Sequence, residues 1–399
     1  MSKVLIIGSG AVATVGIQKC AQNHEVFKEI IVASRTLSKV AAIIKRCEKY
    51  PVKMIAEQID AEDVAALIKL IEKHKPKLVM NLALPYQNIP IMEACIATKT
   101  HYMDTACAEV REHAGFEYGT QWVLHDKFKK AGVMALLGSG FDPGVTSVFC
   151  MYGKKHYFDT VDYIDILDAN GGDHGYPFAT NFNPEINIRE VTATGRYYEA
   201  GKWVEVPPLS VKYEYELEAA GKRDMYLMYH EELESLAKFI PEVKRARFFM
   251  SFGQSYLTHL KVLENVGMTS VKPINYKGQE IVPLQFLQAV LPDPSSLGPR
   301  TKGFTNIGCT LRGHKDGKPV TYRIYNVCNH EAAYAETGSQ AIAYTTGVPA
   351  MIGASLIMKD VWTGKGVFNM EQFDPDPFMK MLNEWGLPWV EDFNPKVIE

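Results

Sequence analysis

A chain of 399 residues exceeds the size at which one hydrophobic core stops growing, and at roughly 150 residues per domain it predicts two or three domains, two being the default. Hydrophobic residues at 47% and charged residues at 22% suffice to bury a core and exclude a disordered chain. A formal net charge of -3, from 43 basic and 46 acidic residues with no basic block, excludes a surface that tracks nucleic acid.

The opening Met-Ser-Lys and the short run Val4 to Ile7 do not make a signal peptide. No apolar stretch approaches the roughly 20 residues that span a bilayer, so no membrane partner is expected. The seven cysteines (Cys20, Cys47, Cys95, Cys107, Cys150, Cys309, Cys328) are scattered and never form a CxxC pair, which predicts neither disulfides nor a metal site and fits a cytoplasmic protein. Most read as small buried apolar side chains.

In chain order, Val4 to Ile7 predicts a strand, Gly8-Ser-Gly-Ala-Val-Ala13 a tight turn, and the segment through Cys20 a helix. Ile30 to Ala33 predicts the next parallel strand. Helices over Leu37 to Tyr50, Ala61 to His74 and Ile89 to Thr98 alternate with strands at Leu78 to Leu82 and His101 to Asp104. A helix near His125 and a strand Val133 to Leu137 extend the pattern, which argues for an α/β fold with a doubly wound parallel sheet. Beyond Val145 the rhythm changes: strands at Val161 to Ile166 and Val320 to Cys328 and a helix near Met225 to Phe239 predict an α+β second domain with a mixed sheet. A helix over Ala341 to Trp362 carries Pro349. The expected division is a nucleotide domain at 1–142, completed by 335–399, and a substrate domain at 143–334.

Gly8-x-Gly10-x-x-Ala13 at a strand end is the dinucleotide fingerprint: Gly8 for the turn, Gly10 for approach of pyrophosphate, Ala13 for helix packing. An enzyme for NAD places an acid at the tip of the second strand. Here stand Ser34, Arg35 and Thr36, with Ser38 and Lys39 beyond, which predicts a 2′-phosphate and hence NADP(H). Gly138-Ser-Gly-Phe-Asp-Pro-Gly144 resembles a second fingerprint, but Pro143 turns it into a crossing between domains that lines the cleft.

Gly8 to Ala13, Asn81-Leu-Ala-Leu-Pro-Tyr86, Gly140-Phe-Asp-Pro-Gly144 and Ala343-Tyr-Thr-Thr-Gly-Val-Pro-Ala350 together resemble the saccharopine dehydrogenase family over nearly the whole chain. Asn183 to Arg189, Tyr229 to Glu232 and the tail are most similar to its carboxynorspermidine (carboxyspermidine) dehydrogenase branch. That branch condenses L-aspartate β-semialdehyde with a diamine, putrescine or 1,3-diaminopropane, and reduces the imine with NADPH. The resemblance implies that Ser9, Gly10, Ala11 and Val12 face pyrophosphate, Ser34 and Arg35 the 2′-phosphate, Asp60 and Ala61 the adenine edge, and Leu82, Ala83, Leu84, Pro85, Thr105 and Ala106 the nicotinamide ribose. It also implies a C-terminal helix folded back on the nucleotide domain and a dimer interface in the second domain, so a homodimer is expected. After Asn183 the sequence departs from the saccharopine-forming reductases, with Glu185 and Arg189 in a different spacing from their serine and arginine, which opposes a substrate with two carboxylates.

Such chemistry needs a cation for the amino-acid carboxylate and carboxylates for the ammonium groups. Arg189 is the candidate clamp, competing with an ordinary ion-pair role. Asp142, Asp173 and Glu185 are candidates for the ammonium groups, with Asn183 beside them. His230 and Glu231 are candidates to move a proton, although a structural role at a helix start is equally open. Asp104 and Cys107 are candidates by position alone, beyond the end of a parallel strand. Two other readings stand beside this one: a saccharopine-forming reductase, and a non-catalytic nucleotide-binding scaffold.

Overall fold

The computed structural model describes residues 2–112 and 115–398. Seven strands form one fully parallel sheet in the order Gly366–Asn369, Met134–Leu137, His101–Met103, Leu78–Asn81, Lys3–Ile7, Glu29–Ser34, Lys53–Gln58. Its central strands are the continuous apolar runs, buried on both faces as a helix-covered sheet requires. The chain winds outward from Lys3–Ile7 to one edge, then crosses back to Leu78–Asn81 on the other side. That reversal opens a crevice at the strand ends.

A second, nine-stranded sheet is mixed: Thr160–Asn170 pairs parallel with Arg245–Ser251 and antiparallel with Phe304–Lys315. Helix Ala341–Met358 returns to the first sheet and packs on helix Ala11–Gln22, so closely that a Cβ on Gly347 would lie 2.6 Å from that of Val15. Buried Lys19 adds a tether, its ammonium 2.8 Å from the Tyr344 hydroxyl. By length and composition this helix of 18 residues could cross a membrane, contrary to the expectation that no such stretch exists. Being 83% buried inside the protein, it is a core helix.

Several elements differ from the sequence reading for physical reasons. Lys53–Gln58 is an edge strand that alternates exposed and half-buried residues, so it lacks the apolar run that marks its neighbours. Val145–Tyr157 is a helix despite its β-branched start. Met225 to Met228 is not helical: it ends the strand Gly221–Met228, with Met225 opposite Ser251, and only Glu232–Phe239 is helix. Sheet burial there overrides local preference. In the 335–399 segment, Gly366–Asn369 joins the first sheet, whereas Trp389–Asp392 pairs with Lys318–Asn329 in the second.

Glu371, on the turn after Gly366–Asn369, is 4% exposed and accepts a hydrogen bond from Ser235 on the second domain's helix. Burial pushes its carboxyl up to about 7, against the hydrogen bonds from Ser235 and Ser147. The folded state therefore keeps a proton that the unfolded chain releases near its ordinary value, so this group's stabilisation is complete at low pH and is lost as pH rises through about 7. Glu371→Gln is expected to reduce the fall in urea midpoint between pH 5 and 8 and to gain up to about 3 kcal/mol over the parent at the upper end. Parallel pH profiles for the two proteins would refute this.

Candidate active site

A crevice of about 720 Å³ runs from the tips of the first two strands of the parallel sheet to the face of the second sheet. At its floor, Gly8 has φ 127°, a conformation that favours glycine, and a side chain there would collide with the Leu82 carbonyl. A Cβ on Gly10 would meet nothing within 4 Å, which leaves open the approach a pyrophosphate needs. Helix Ala11–Gln22 starts at Gly10 with no side-chain cap, so its first N–H groups and positive end face the crevice. These features fit a dinucleotide.

Every residue expected to contact the dinucleotide lines this crevice: Gly8 to Val12, Ser34 to Thr36, Asp60, Ala61, Leu82 to Pro85, Thr105 and Ala106. The Ser34 and Ser9 hydroxyls are 2.8 Å apart, which ties the two strand tips together. Sequence reasoning missed one wall: Gln288, Ala289 and Leu291 to Ser295, from the second domain, close over this end, and Asp293 stands 3.8 Å from the Lys39 ammonium. Only the fold shows that this segment folds over.

The far end is acidic. Asp142, Cys107, Asn183, His230 and Glu231 line it as expected, joined by Asp168 and Glu190, which the sequence reading did not single out. The His230 ring stacks on Phe248, with centroids 4.4 Å apart, and its Nε2 lies 3.1 Å from Glu190. Its Nδ1 meets Glu232 and lies 3.5 Å from Glu231. Burial would push the imidazole down, but Glu232, Glu231 and Glu190 together hold it well above its usual value. His230 thus sits among carboxylates that favour its protonated form. The ligand atoms of His230, Glu231 and Glu232 lie within 4.8 Å of one another.

Glu231 also accepts from the Cys107 backbone N–H at 3.1 Å and is raised by burial to about 7. The Cys107 thiol is pushed well above its ordinary value by burial and then by Glu231. Its neutral thiol form is therefore favoured. Asn183 lines the crevice but spends its side-chain oxygen capping helix Pro184–Thr192, accepting from Ile186 N–H at 3.1 Å. Asp168 had a readable signal: it shares a strand face with apolar Ile164 and Ile166, an acid on a core-facing stripe.

Four expectations move away from the crevice. Arg189 is 4% exposed, with its guanidinium on the Tyr86 hydroxyl at 2.7 Å and Glu109 at 2.9 Å, so an internal ion pair replaces the substrate clamp. Glu185 accepts from Tyr86 at 3.0 Å and belongs to the same knot rather than to an ammonium site. Asp104 sits behind the wall, accepting from Gly138 N–H at 2.8 Å and from the Gln121 side chain at 2.7 Å. Its carboxyl is raised by burial to about 7, and its task is to hold the turn, not to touch substrate. Asp173 is exposed outside the lining, its side chain accepting from Gly175 N–H at 2.7 Å.

A doubly wound sheet whose switch-point crevice fits a dinucleotide beside the ionisable groups of a second sheet is the architecture of a nicotinamide-dependent oxidoreductase. The Saccharopine dehydrogenase NADP binding domain matches residues 4–136, and the Saccharopine dehydrogenase C-terminal domain matches residues 140–387. The chain belongs to the saccharopine dehydrogenase family. It is 52% identical over 394 residues to carboxyaminopropylagmatine dehydrogenase of Synechocystis sp., covering 99% of this chain and 98% of that one. It is 44% identical over 397 residues to carboxynorspermidine synthase of Vibrio cholerae, covering 97% and 96%. The fold matches apo saccharopine dehydrogenase (L-Glu forming) from Saccharomyces cerevisiae with a TM-score of 0.73 at 18% identity, covering 98% and 99% of the two chains.

Proposed function

We propose that the protein is an NADPH-dependent imine reductase of polyamine biosynthesis, which joins L-aspartate β-semialdehyde to putrescine or 1,3-diaminopropane and yields carboxyspermidine or carboxynorspermidine. The observation that carries this is the acidic end of the crevice. Asp142, Asp168, Glu190 and Glu231 line this end, and His230 is the one cation among the described residues there. A cationic amine fits that charge, whereas glutamate, with two carboxylates, would be repelled. The cofactor supplies hydride from its reduced nicotinamide, which this reading places along Leu82 to Pro85 and Thr105 to Ala106. The protein's own contribution is to orient the reactants, exclude water and manage protons.

A second amine has support from the relative of 52% identity, whose name carries an agmatine moiety. A guanidinium also suits paired carboxylates. NADPH oxidation is therefore expected with aspartate semialdehyde plus putrescine, 1,3-diaminopropane or agmatine. Turnover confined to aminoadipate semialdehyde plus glutamate would overturn the reading, and tight NADPH binding with no turnover of any pair would point to a scaffold.

The same reading makes the protein a cytoplasmic homodimer. Cys20, Cys47, Cys95, Cys107, Cys150, Cys309 and Cys328 are all free thiols, which suits a reducing compartment. Val262, Val266, Phe286 and Val290 of the second domain are each more than half exposed, which suits a surface covered by a second copy.

A further inference from the structure

Two carboxyl groups meet at the end of the crevice assigned above to the nicotinamide, and they come from opposite halves of the molecule. Asp142 lies in the turn after strand Met134–Leu137. Gly140 of that turn packs so tightly that a Cβ there would stand 2.9 Å from the Thr105 carbonyl oxygen, which fixes the turn against that end. Asp168 lies near the end of Thr160–Asn170, in register with Met250 on one side and Ile307 on the other. Both line the crevice, and each carboxyl acts on the protonation of the other, Asp142 being favoured in its protonated form and Asp168 in its charged one. Two neighbouring carboxyls disfavour ionising together, so a pair carrying one proton is the state such a site prefers.

We propose that Asp142 and Asp168 are the proton relay that forms and dehydrates the carbinolamine, with Asp168 taking a proton from the incoming ammonium and Asp142 giving one to the departing hydroxyl. The inference rests on the imine-reductase reading. The ammonium loses one proton to the Asp168 carboxylate, and the freed nitrogen pair forms the C–N bond to the aldehyde carbon. A second nitrogen proton passes to the resulting alkoxide. The Asp142 carboxyl protonates that hydroxyl, the C–O bond breaks, and water leaves as the nitrogen pair forms C=N. Hydride from the reduced nicotinamide then gives the secondary amine, which takes its proton back from Asp168. Asp142 is recharged from solvent, so the cycle consumes one proton and one reduced dinucleotide and releases one water.

The surroundings keep the pair in the state this needs. Burial and then the Asp168 charge hold Asp142 well above the usual carboxylate range, with Glu232 adding to the rise and His230 opposing it. Burial raises Asp168 to about 6, with the Asp142 hydrogen bond and His230 pulling down and Glu190 and Glu232 pushing up. Near neutral pH Asp142 therefore carries the proton and Asp168 the charge. The rate is expected to rise as pH passes about 6 and Asp168 ionises, and to fall where Asp142 loses its proton.

The test compares the full-length protein with Asp142→Asn and Asp168→Asn, using aspartate semialdehyde, the preferred amine and NADPH deuterated at both C4 positions. Asp142→Asn is expected to lower kcat about 100-fold or more, to bring the primary isotope effect near unity because dehydration becomes limiting, and to leave NADPH titration by fluorescence unchanged. Its infrared difference spectrum against the parent at neutral pH should show the loss of a protonated-carboxyl C=O band. Asp168→Asn is expected to remove the rising limb near pH 6 and keeps the test open if the first variant fails to bind NADPH. A kcat within about threefold of the parent, or an isotope effect that grows as kcat falls, overturns the relay. A parent protein that turns over no aldehyde and amine pair overturns the functional reading, and the relay with it.

Discussion

Exchange of Arg35 for aspartate is expected to weaken NADPH binding by about 30- to 1000-fold, some 2 to 4 kcal/mol, while NADH binding holds or improves. Arg35 follows the tip of strand Glu29–Ser34, and its carbonyl is pinned by the Gln58 side chain at 3.0 Å. Its guanidinium is exposed on the crevice rim and has no carboxylate partner among the described residues. Lys39, the other cation nearby, is already paired with Asp293 at 3.8 Å. A 2′-phosphate offers strong acceptor oxygens, and each hydrogen bond between charged groups contributes roughly 1.5 to 3 kcal/mol. Aspartate would remove those donors and add repulsion, yet it would accept from the free 2′-hydroxyl of NADH. Fluorescence titration with both dinucleotides measures the ratio directly. An unchanged ratio would take Arg35 out of the cofactor site.

The parts of this protein that were legible in its sequence are those governed by local physics. A strand of continuous apolar residues, a glycine at φ 127°, and an uncapped helix start all lie within Lys3–Gln22, so one short stretch announces the cofactor cradle. The acidic end is different, because Asp142 from a turn after the first sheet, Asp168 from a strand of the second, Glu190 from helix Pro184–Thr192 and His230 from beyond strand Gly221–Met228 are brought together only by the fold. Their spacing in sequence carries no sign of that meeting. Arg189 and Asp104 show the converse error. A charged residue buried to hold a loop and one aimed at a substrate have the same letter, and only burial and partners separate them. The edge strand Lys53–Gln58 escaped notice because one exposed side breaks the apolar run.

Arg189 gives that distinction a quantitative test. Its guanidinium joins helix Pro184–Thr192 to the loop beyond Cys107 through Tyr86 at 2.7 Å, Glu109 at 2.9 Å and the Val110 carbonyl at 2.6 Å. Glu109 in turn accepts from Gly115 N–H at 2.9 Å and from Phe116 N–H, and Phe116 lines the crevice. The side chains of Arg189 and Glu109 are 3% and 1% exposed, so removing the arginine takes a countercharge from a buried carboxylate. Arg189→Ala is therefore expected to cost about 3 to 5 kcal/mol of stability, read from the urea midpoint, with little selective effect on the KM for the aldehyde. Arg189→Lys keeps the charge but loses the planar fork and should fall between the two. Because much of the penalty is the carboxylate's lost countercharge, Arg189→Ala combined with Glu109→Ala should be more stable than Arg189→Ala alone, with a coupling of about 2 kcal/mol or more. A single variant of parental stability with a sharply raised aldehyde KM would return Arg189 to the role of substrate clamp.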